Sequence, residues 1–223
     1  MEYHFSFPYI WGAGPDLMSG LWMTIRISLV SIAISVVVGV VGASIRVFQI
    51  PVLSQLTSFY VNFVRSTPLL VQMFFIFYGL ASLGMPLSAY WSGVLSLSLW
   101  GGAYNTENVR GGFLAIPHGL REASSAMAFN KFQFLILIAL PVGMRVSIPA
   151  ILNTSVSVLK NSAYLQAIGL AELTYVAMDR VAMDFRTLEM FAAIGVLYLG
   201  LVLLLSFAVR RLEYVLQRPY RTS

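Results

Sequence analysis

Lys160 is the residue whose type and position ask most plainly for a chemical account. It lies in a largely apolar stretch, about Ile148 to Leu170, that also carries Asn153, Thr154, Ser155, Ser157, Asn161 and Ser162. Residues at i, i+4 and i+7 share one helical face. Asn153, Ser157 and Lys160 therefore form a polar stripe, with Thr154 and Asn161 beside it. A lysine at the centre of a membrane helix costs about 2.5–3.5 kcal/mol on insertion scales, so it persists where it has a partner or water. Two readings stay open: the stripe lines a hydrated path and Lys160 attracts a carboxylate, or Lys160 pairs with a buried acid such as Glu107. A second group is Thr67, Pro68 and Gln72. Pro68 cannot donate to the Val64 carbonyl, so it breaks the helix ladder, and broken membrane helices mark either binding sites or plain kinks. Glu107 and Arg110 are spaced i, i+3, the geometry of a bridging ion pair. With Arg65 and Pro68 they make a structural or gating set.

Catalysis finds no such footing. Cysteine is absent, and the two histidines, His4 and His118, fall in a terminal segment and a loop with no clustered carboxylates. That excludes thiolate metal sites and argues against an acid–base enzyme. No G-x-x-x-x-G-K-[ST] loop is present to cradle phosphates, so no nucleotide is expected on this chain. No metal or catalytic residue is assigned. The net charge of +5 comes from basic residues scattered between apolar stretches, a pattern of membrane loops and not of a nucleic-acid surface.

The elements that must position these residues are membrane helices. The sequence is 58% hydrophobic and 10% charged, with a mean hydropathy of +0.80, more apolar surface than a soluble domain of this size can hide. Five segments reach the roughly 20 residues that span a bilayer: about Leu21–Ser44, Phe59–Leu80, Tyr90–Gly112, Ile148–Leu170 and Leu188–Val209. The run Phe132–Leu140 is expected to stop at Pro141 and, at about 13 Å, to be too short to cross alone. The expectation is an all-α integral membrane protein of about five transmembrane helices.

Lys and Arg concentrate in cytoplasmic loops. With the N-terminus outside, the inner side holds Arg46, Arg110, Arg121, Lys131, Arg145, Arg210, Arg211, Arg218 and Arg221, while the outer side holds Arg180 and Arg186. N-out, C-in follows even when Arg26, Arg65 and Lys160 are all counted outside. The first span lacks a basic n-region and is longer than a signal h-region, so it is expected to stay in the protein. The organisation is then an external segment 1–19, a transmembrane domain 20–212 with a long cytoplasmic loop at about 113–147, and a cytoplasmic tail 213–223. Within that loop Pro117 opens a short helix that runs to near Asn130 and is rich in small residues. It either docks another protein or caps the bundle at the interface.

The segment Gly119-Leu-Arg-Glu-Ala-Ser-Ser-Ala-Met-Ala-Phe-Asn130, followed by Leu140-Pro141, resembles the "EAA" loop of ABC importer permeases. Glu122 and Ala123 match; the third position is Ser124, and the usual glycine falls at Ala128. Arg65-Ser-Thr-Pro-Leu-Leu70, Ala103-Tyr104 with Glu107 and Arg110-Gly-Gly112, and Leu159-Lys-Asn-Ser162 with Ile168-Gly-Leu-Ala-Glu-Leu173 resemble motifs of polar amino acid permeases. The resemblance covers about Gly20 to Arg211. It implies a type I ABC importer permease fold in a bacterial inner membrane. It also implies a second permease subunit, identical or homologous, two ABC ATPase subunits carrying ATP-Mg, and an extracytoplasmic amino-acid-binding protein. Arg121, Glu122, Ala123, Ala126 and Ala128 would couple to the ATPase, and Thr67, Gln72, Asn153, Thr154, Ser157, Lys160 and Asn161 would line the substrate path. Threonine at 154, where cationic-substrate members can carry an acid, tilts the substrate toward acidic or neutral amino acids such as glutamate, aspartate or glutamine. The competing classes are a secondary transporter, which lacks its expected internal repeat here, and a structural subunit of some other membrane complex.

Overall fold

The computed structural model describes residues 4–217, and every described element is helical. Arg218 and Arg221, counted above on the inner side, lie outside the described residues. A short α1 (Phe7–Gly12) precedes α2 (Gly14–Val47), which opens with proline near its N-terminus and Asp16 in its first turn, both favourable there. The first long helix thus begins before Leu21.

The centre of the molecule is α6 (Ala89–Leu114), which packs on α2 along small residues. Gly20, Ser28, Ser31, Ser35, Gly39 and Gly42 are all buried on one side of α2. Such residues let membrane helices approach closely, where apolar burial gives little preference for protein over lipid. A Cβ placed on Gly39 would sit 2.5 Å from that of Asn105, and Gly101 meets Ser35 in the same register. The two helices therefore run parallel. α6 reverses into α9 (Met144–Asn161), where Gly112 meets Ser147 and Gly101 meets Val158.

Parallel α2 and α6 require a return between them, and α3 (Leu53–Ser66), α4 (Leu69–Phe74) and α5 (Leu80–Ser82) supply it. The expected second span is sharply broken there: Leu53–Ser66 and Leu69–Ser82 meet at 111°. A wide π turn, Phe75–Gly79, joins α4 to α5.

Among the described residues three helices are long and apolar enough to cross a bilayer, Gly14–Val47, Lys131–Ile168 and Thr187–Arg211, and the bent pair makes a fourth if counted as one span. α6 has the length, at 26 residues, but not the hydropathy. Its Ser92, Ser96, Ser98, Asn105 and Thr106 are buried, because protein and not lipid surrounds it. The expectation that Phe132–Leu140 ends at Pro141 is corrected. From α8 (Lys131–Phe134) the chain continues through a π-helical stretch, Leu135–Gly143, directly into α9. Opening the ladder to i→i+5 spacing lets it pass a residue that has no N–H. The loop helix, expected to reach Asn130, ends earlier: α7 is His118–Ala126, and Asn130 instead caps α8 with Gln133 in a reciprocal pair of bonds.

After α9 a 3₁₀ stretch, Ser162–Ile168, turns at Gly169 (φ 76°) into α10 (Leu173–Asp184), which leads to α11 (Thr187–Gln217). Glu172 caps α10, accepting from the backbone N–H groups of Thr174 and Tyr175 and from the Tyr198 hydroxyl at 2.9 Å. Burial pushes its carboxyl above the ordinary range.

Candidate functional site

α9 presents two different polar faces. Asn153 and Lys160 are exposed, and Ser157 is half-buried between them with its hydroxyl donating to the Asn153 carbonyl at 2.9 Å. These three form the open stripe; Asn161 is half-buried at its end. Thr154, grouped with that stripe in the sequence, points the other way. It is buried, and its hydroxyl accepts from Asn108 Nδ2 at 2.9 Å.

Asn108 also donates to the Ala150 carbonyl and to Asn105 Oδ1, and Asn105 Nδ2 reaches Ser35 Oγ at 3.1 Å. A continuous hydrogen-bonded spine, Ser35–Asn105–Asn108–Thr154, thus crosses α2, α6 and α9. Asn105 and Asn108 were not singled out in the sequence; their i, i+3 spacing inside a span was the available signal.

No ion-pair or hydrogen-bond partner is recorded for Lys160 among the described residues. Glu107, the acid that could have held it, is engaged elsewhere. One of its oxygens accepts from Arg46 of α2, and the other accepts from Arg110 Nε at 3.0 Å and Nη2 at 2.7 Å. The i, i+3 pair is therefore one half of a bridge that ties the ends of α2 and α6.

The break before α4 has its own internal logic. The Val64 carbonyl, orphaned by Pro68, accepts from Gln72 Nε2 at 2.8 Å, and the same amide reaches Thr67 Oγ1 at 2.7 Å and the Thr67 carbonyl. Thr67 in turn donates back to the Phe63 carbonyl. These polar groups satisfy one another across the bend, as buried backbone requires in lipid. Arg65, just before the break, lies over the Tyr104 ring of α6 at 5.1 Å, a cation–π contact. Below the break, Leu69 and Met73 share one hydrophobic cluster with Val158 of α9 and Leu165. Packing therefore joins the broken helix to the helix that carries Lys160.

At the other end of the molecule α7 buries only Ser124. Glu122, Ala123 and Ala126 are exposed, as are Leu120 and Met127. Arg121 faces inward: Nη2 donates to the Phe113 carbonyl at 2.6 Å, and the guanidinium lies 5.9 Å from the Phe134 ring centre. It anchors α7 to the end of α6. Glu122 approaches His118 at 3.3 Å. Ala128 is left-handed, with φ 57°, a conformation in which only glycine is free of strain.

Comparison with known proteins follows this geometry closely. Residues 32–217 match the family "Binding-protein-dependent transport system inner membrane component". The chain is 31% identical to a probable amino-acid ABC transporter permease protein, PatM, of Vibrio harveyi, over 97% of this chain and 98% of that one. It is 32% identical to the glutamine transport system permease protein GlnP of Escherichia coli (strain K12), over 94% and 96%. An arginine transport system permease protein, ArtQ of Bacillus subtilis (strain 168), is 30% identical over 89% and 91%. Among solved structures, an amino acid ABC transporter with histidines superposes with a TM-score of 0.86 at 28% identity, covering 95% of this chain and 99% of that one. The chain belongs to the binding-protein-dependent transport system inner membrane component family, as the non-catalytic permease subunit of an amino-acid ABC importer.

Proposed function

We propose that this subunit forms one half of a translocation path for polar amino acids, acidic or neutral in preference to cationic, with Lys160 meeting the substrate carboxylate. The observation that carries the reading is the lysine itself. It sits on the exposed stripe of a membrane helix, and Glu107, the acid the sequence offered as its partner, is held by two arginines. A charge kept at such a cost and given no protein partner is kept for water or a ligand. The stripe opens on the surface of the single chain, so a second permease subunit, identical or homologous, is needed to close a path around it. Family membership does not choose the substrate, since relatives of comparable identity are named for glutamine and for arginine.

The remaining assembly follows the same reading. With the N-terminus outside, α7 docks on an ABC ATPase subunit through Glu122, Ala123, Ala126 and its exposed Met127. Two such ATPases carry ATP-Mg, and an amino-acid-binding protein delivers substrate to the opposite face.

Lys160→Met tests the central claim in the assembled importer in vesicles. Methionine is cheaper in lipid than lysine, so insertion and assembly should be normal while uptake falls by about tenfold or more, equivalent to about 1.4 kcal/mol. Normal uptake, or failure to assemble, rejects the reading. Thr154 is buried against Asn108, so charge selectivity is better tested at Asn153 on the open stripe. Asn153→Glu should lower uptake of acidic substrates relative to cationic ones; an unchanged preference would mean that selection happens elsewhere.

A further inference from the structure

The bridge at the end of α2 and α6 leaves a surplus of positive charge. Arg46 and Arg110 share the single carboxylate of Glu107, and Arg65 adds a third guanidinium over the ring of Tyr104, one turn from Glu107 on α6. A guanidinium carries five N–H donors, and the recorded bonds of Arg46 use one nitrogen. Arg46 lines a cavity of about 380 Å³ together with Arg110, Gln49, Ser54, Gln55, Ser58 and the turn residues Ile50, Pro51 and Val52. Six of these nine side chains can donate.

The walls of this cavity are unusual in two respects. The turn from α2 to α3 holds Gln49 at φ 51° and Val52 at φ 65°, and a β-branched residue in that region is a genuine strain. Along α3, Ser54, Gln55 and Ser58 line the cavity, while Leu53, Leu56, Phe59 and Phe63 form an exposed apolar row on the adjoining flank, with Phe59 one turn from Gln55. Phe59 and Phe63 stack at 6.1 Å. A donor-rich, net-positive cavity therefore sits where the Gly14–Val47 span ends, beside an apolar row running away along the helix.

We infer that this cavity binds the phosphodiester of an anionic phospholipid, held by Arg46 and Arg110, with the acyl chains lying along Leu53, Leu56 and Phe59. Basic pockets between helices at the membrane surface take lipid phosphates in this way, and arginine matches phosphate with paired donors. The apolar row separates a lipid from a free anion, since inorganic phosphate would have no use for it. Glu107 acts here as a positioning residue: it holds the two guanidiniums side by side without neutralising both.

The assembled importer, extracted from vesicles of equal phosphatidylglycerol and phosphatidylcholine, can be weighed by native mass spectrometry. Phosphatidylglycerol should be retained in about tenfold preference. Ser58→Glu puts a carboxylate in the cavity without removing any member of the bridge, and should abolish that preference while leaving phosphatidylcholine retention unchanged. Equal retention of the two lipids by the wild type overturns the inference, as does an unaltered preference in Ser58→Glu. Displacement of the lipid by excess inorganic phosphate would assign the cavity to a free anion. Disulfide formation between two copies carrying Leu56→Cys would show that a second subunit covers the apolar row. Either of these results also overturns it.

Discussion

Gln72→Leu removes an amide that bridges the break in the second membrane segment, leaving the Val64 carbonyl unpaired in a largely apolar setting. The loss should cost about 1–3 kcal/mol and appear as a lower midpoint in thermal unfolding of the solubilised subunit; an unchanged midpoint would mean that water serves the carbonyl equally well. Pro68 made the orphaned carbonyl legible in the sequence, but not its partner, since the bend that swings Gln72 back is a tertiary matter. Ala128 runs the opposite way. The resemblance expected glycine there, and the left-handed backbone gives the reason. Ala128→Gly should gain about 1 kcal/mol, read as a raised unfolding midpoint without loss of uptake. The polar stripe on α9 was legible by helical spacing alone, but spacing could not orient Thr154. Only the packing of α6 against α9 turns it toward Asn108.

At the scale of elements, the existence of each long helix was legible in the sequence, and the misses lie at helix ends, at the bend before α4 and at Pro141. The apolar part of α11 was read close to its observed extent because an apolar surface facing lipid is what hydropathy measures, whereas α2 starts at Gly14, well before the expected Leu21. α6, read as Tyr90–Gly112 and observed as Ala89–Leu114, was also legible, although its buried serines, asparagine and threonine follow the logic of close packing instead of hydrophobicity. Pro141 misled, since helix-breaking chemistry was sound but a π-helical stretch absorbs it. The short α7 was legible from Pro117 and from its small residues. Its expected behaviour follows from its exposure. Ala126→Trp should leave the subunit inserted and folded, because Ala126 touches no core, yet should separate ATP hydrolysis from uptake in reconstituted importer. Full coupling in that variant would return α7 to the role of an interfacial cap.

The whole molecule sorts its charges by end, and the expected topology rests on that same sorting. Because α2 and α6 run parallel and α9 antiparallel to both, the C-terminal ends of α2 and α6 meet the start of the α8–α9 helix. Lys131 Nζ donates to the Phe48 carbonyl at 3.2 Å, and Arg46 bonds Glu107. Arg46, Arg110, Arg121 and Lys131 therefore occupy one end. The opposite end gathers Asp16, Arg180, Asp184, Arg186 and Glu189, where Arg180 pairs with both Asp16 and Asp184 and Arg186 pairs with Glu189. There three acids outnumber two bases, so no net positive charge opposes passage across the membrane, whereas the first end stays basic. The basic end should face the cytoplasm. The chain has no native cysteine, so single thiols report cleanly. Met85→Cys and Asp179→Cys, both at exposed positions near the more acidic end, should be labelled from outside intact cells by a membrane-impermeant maleimide. Ser125→Cys, exposed on α7 at the basic end, should react only after the membrane is opened. Labelling of Ser125→Cys from outside would invert the molecule, and with it the docking of α7 on a cytoplasmic ATPase. Labelling of all three from outside would mean that the bundle does not span the bilayer in this order.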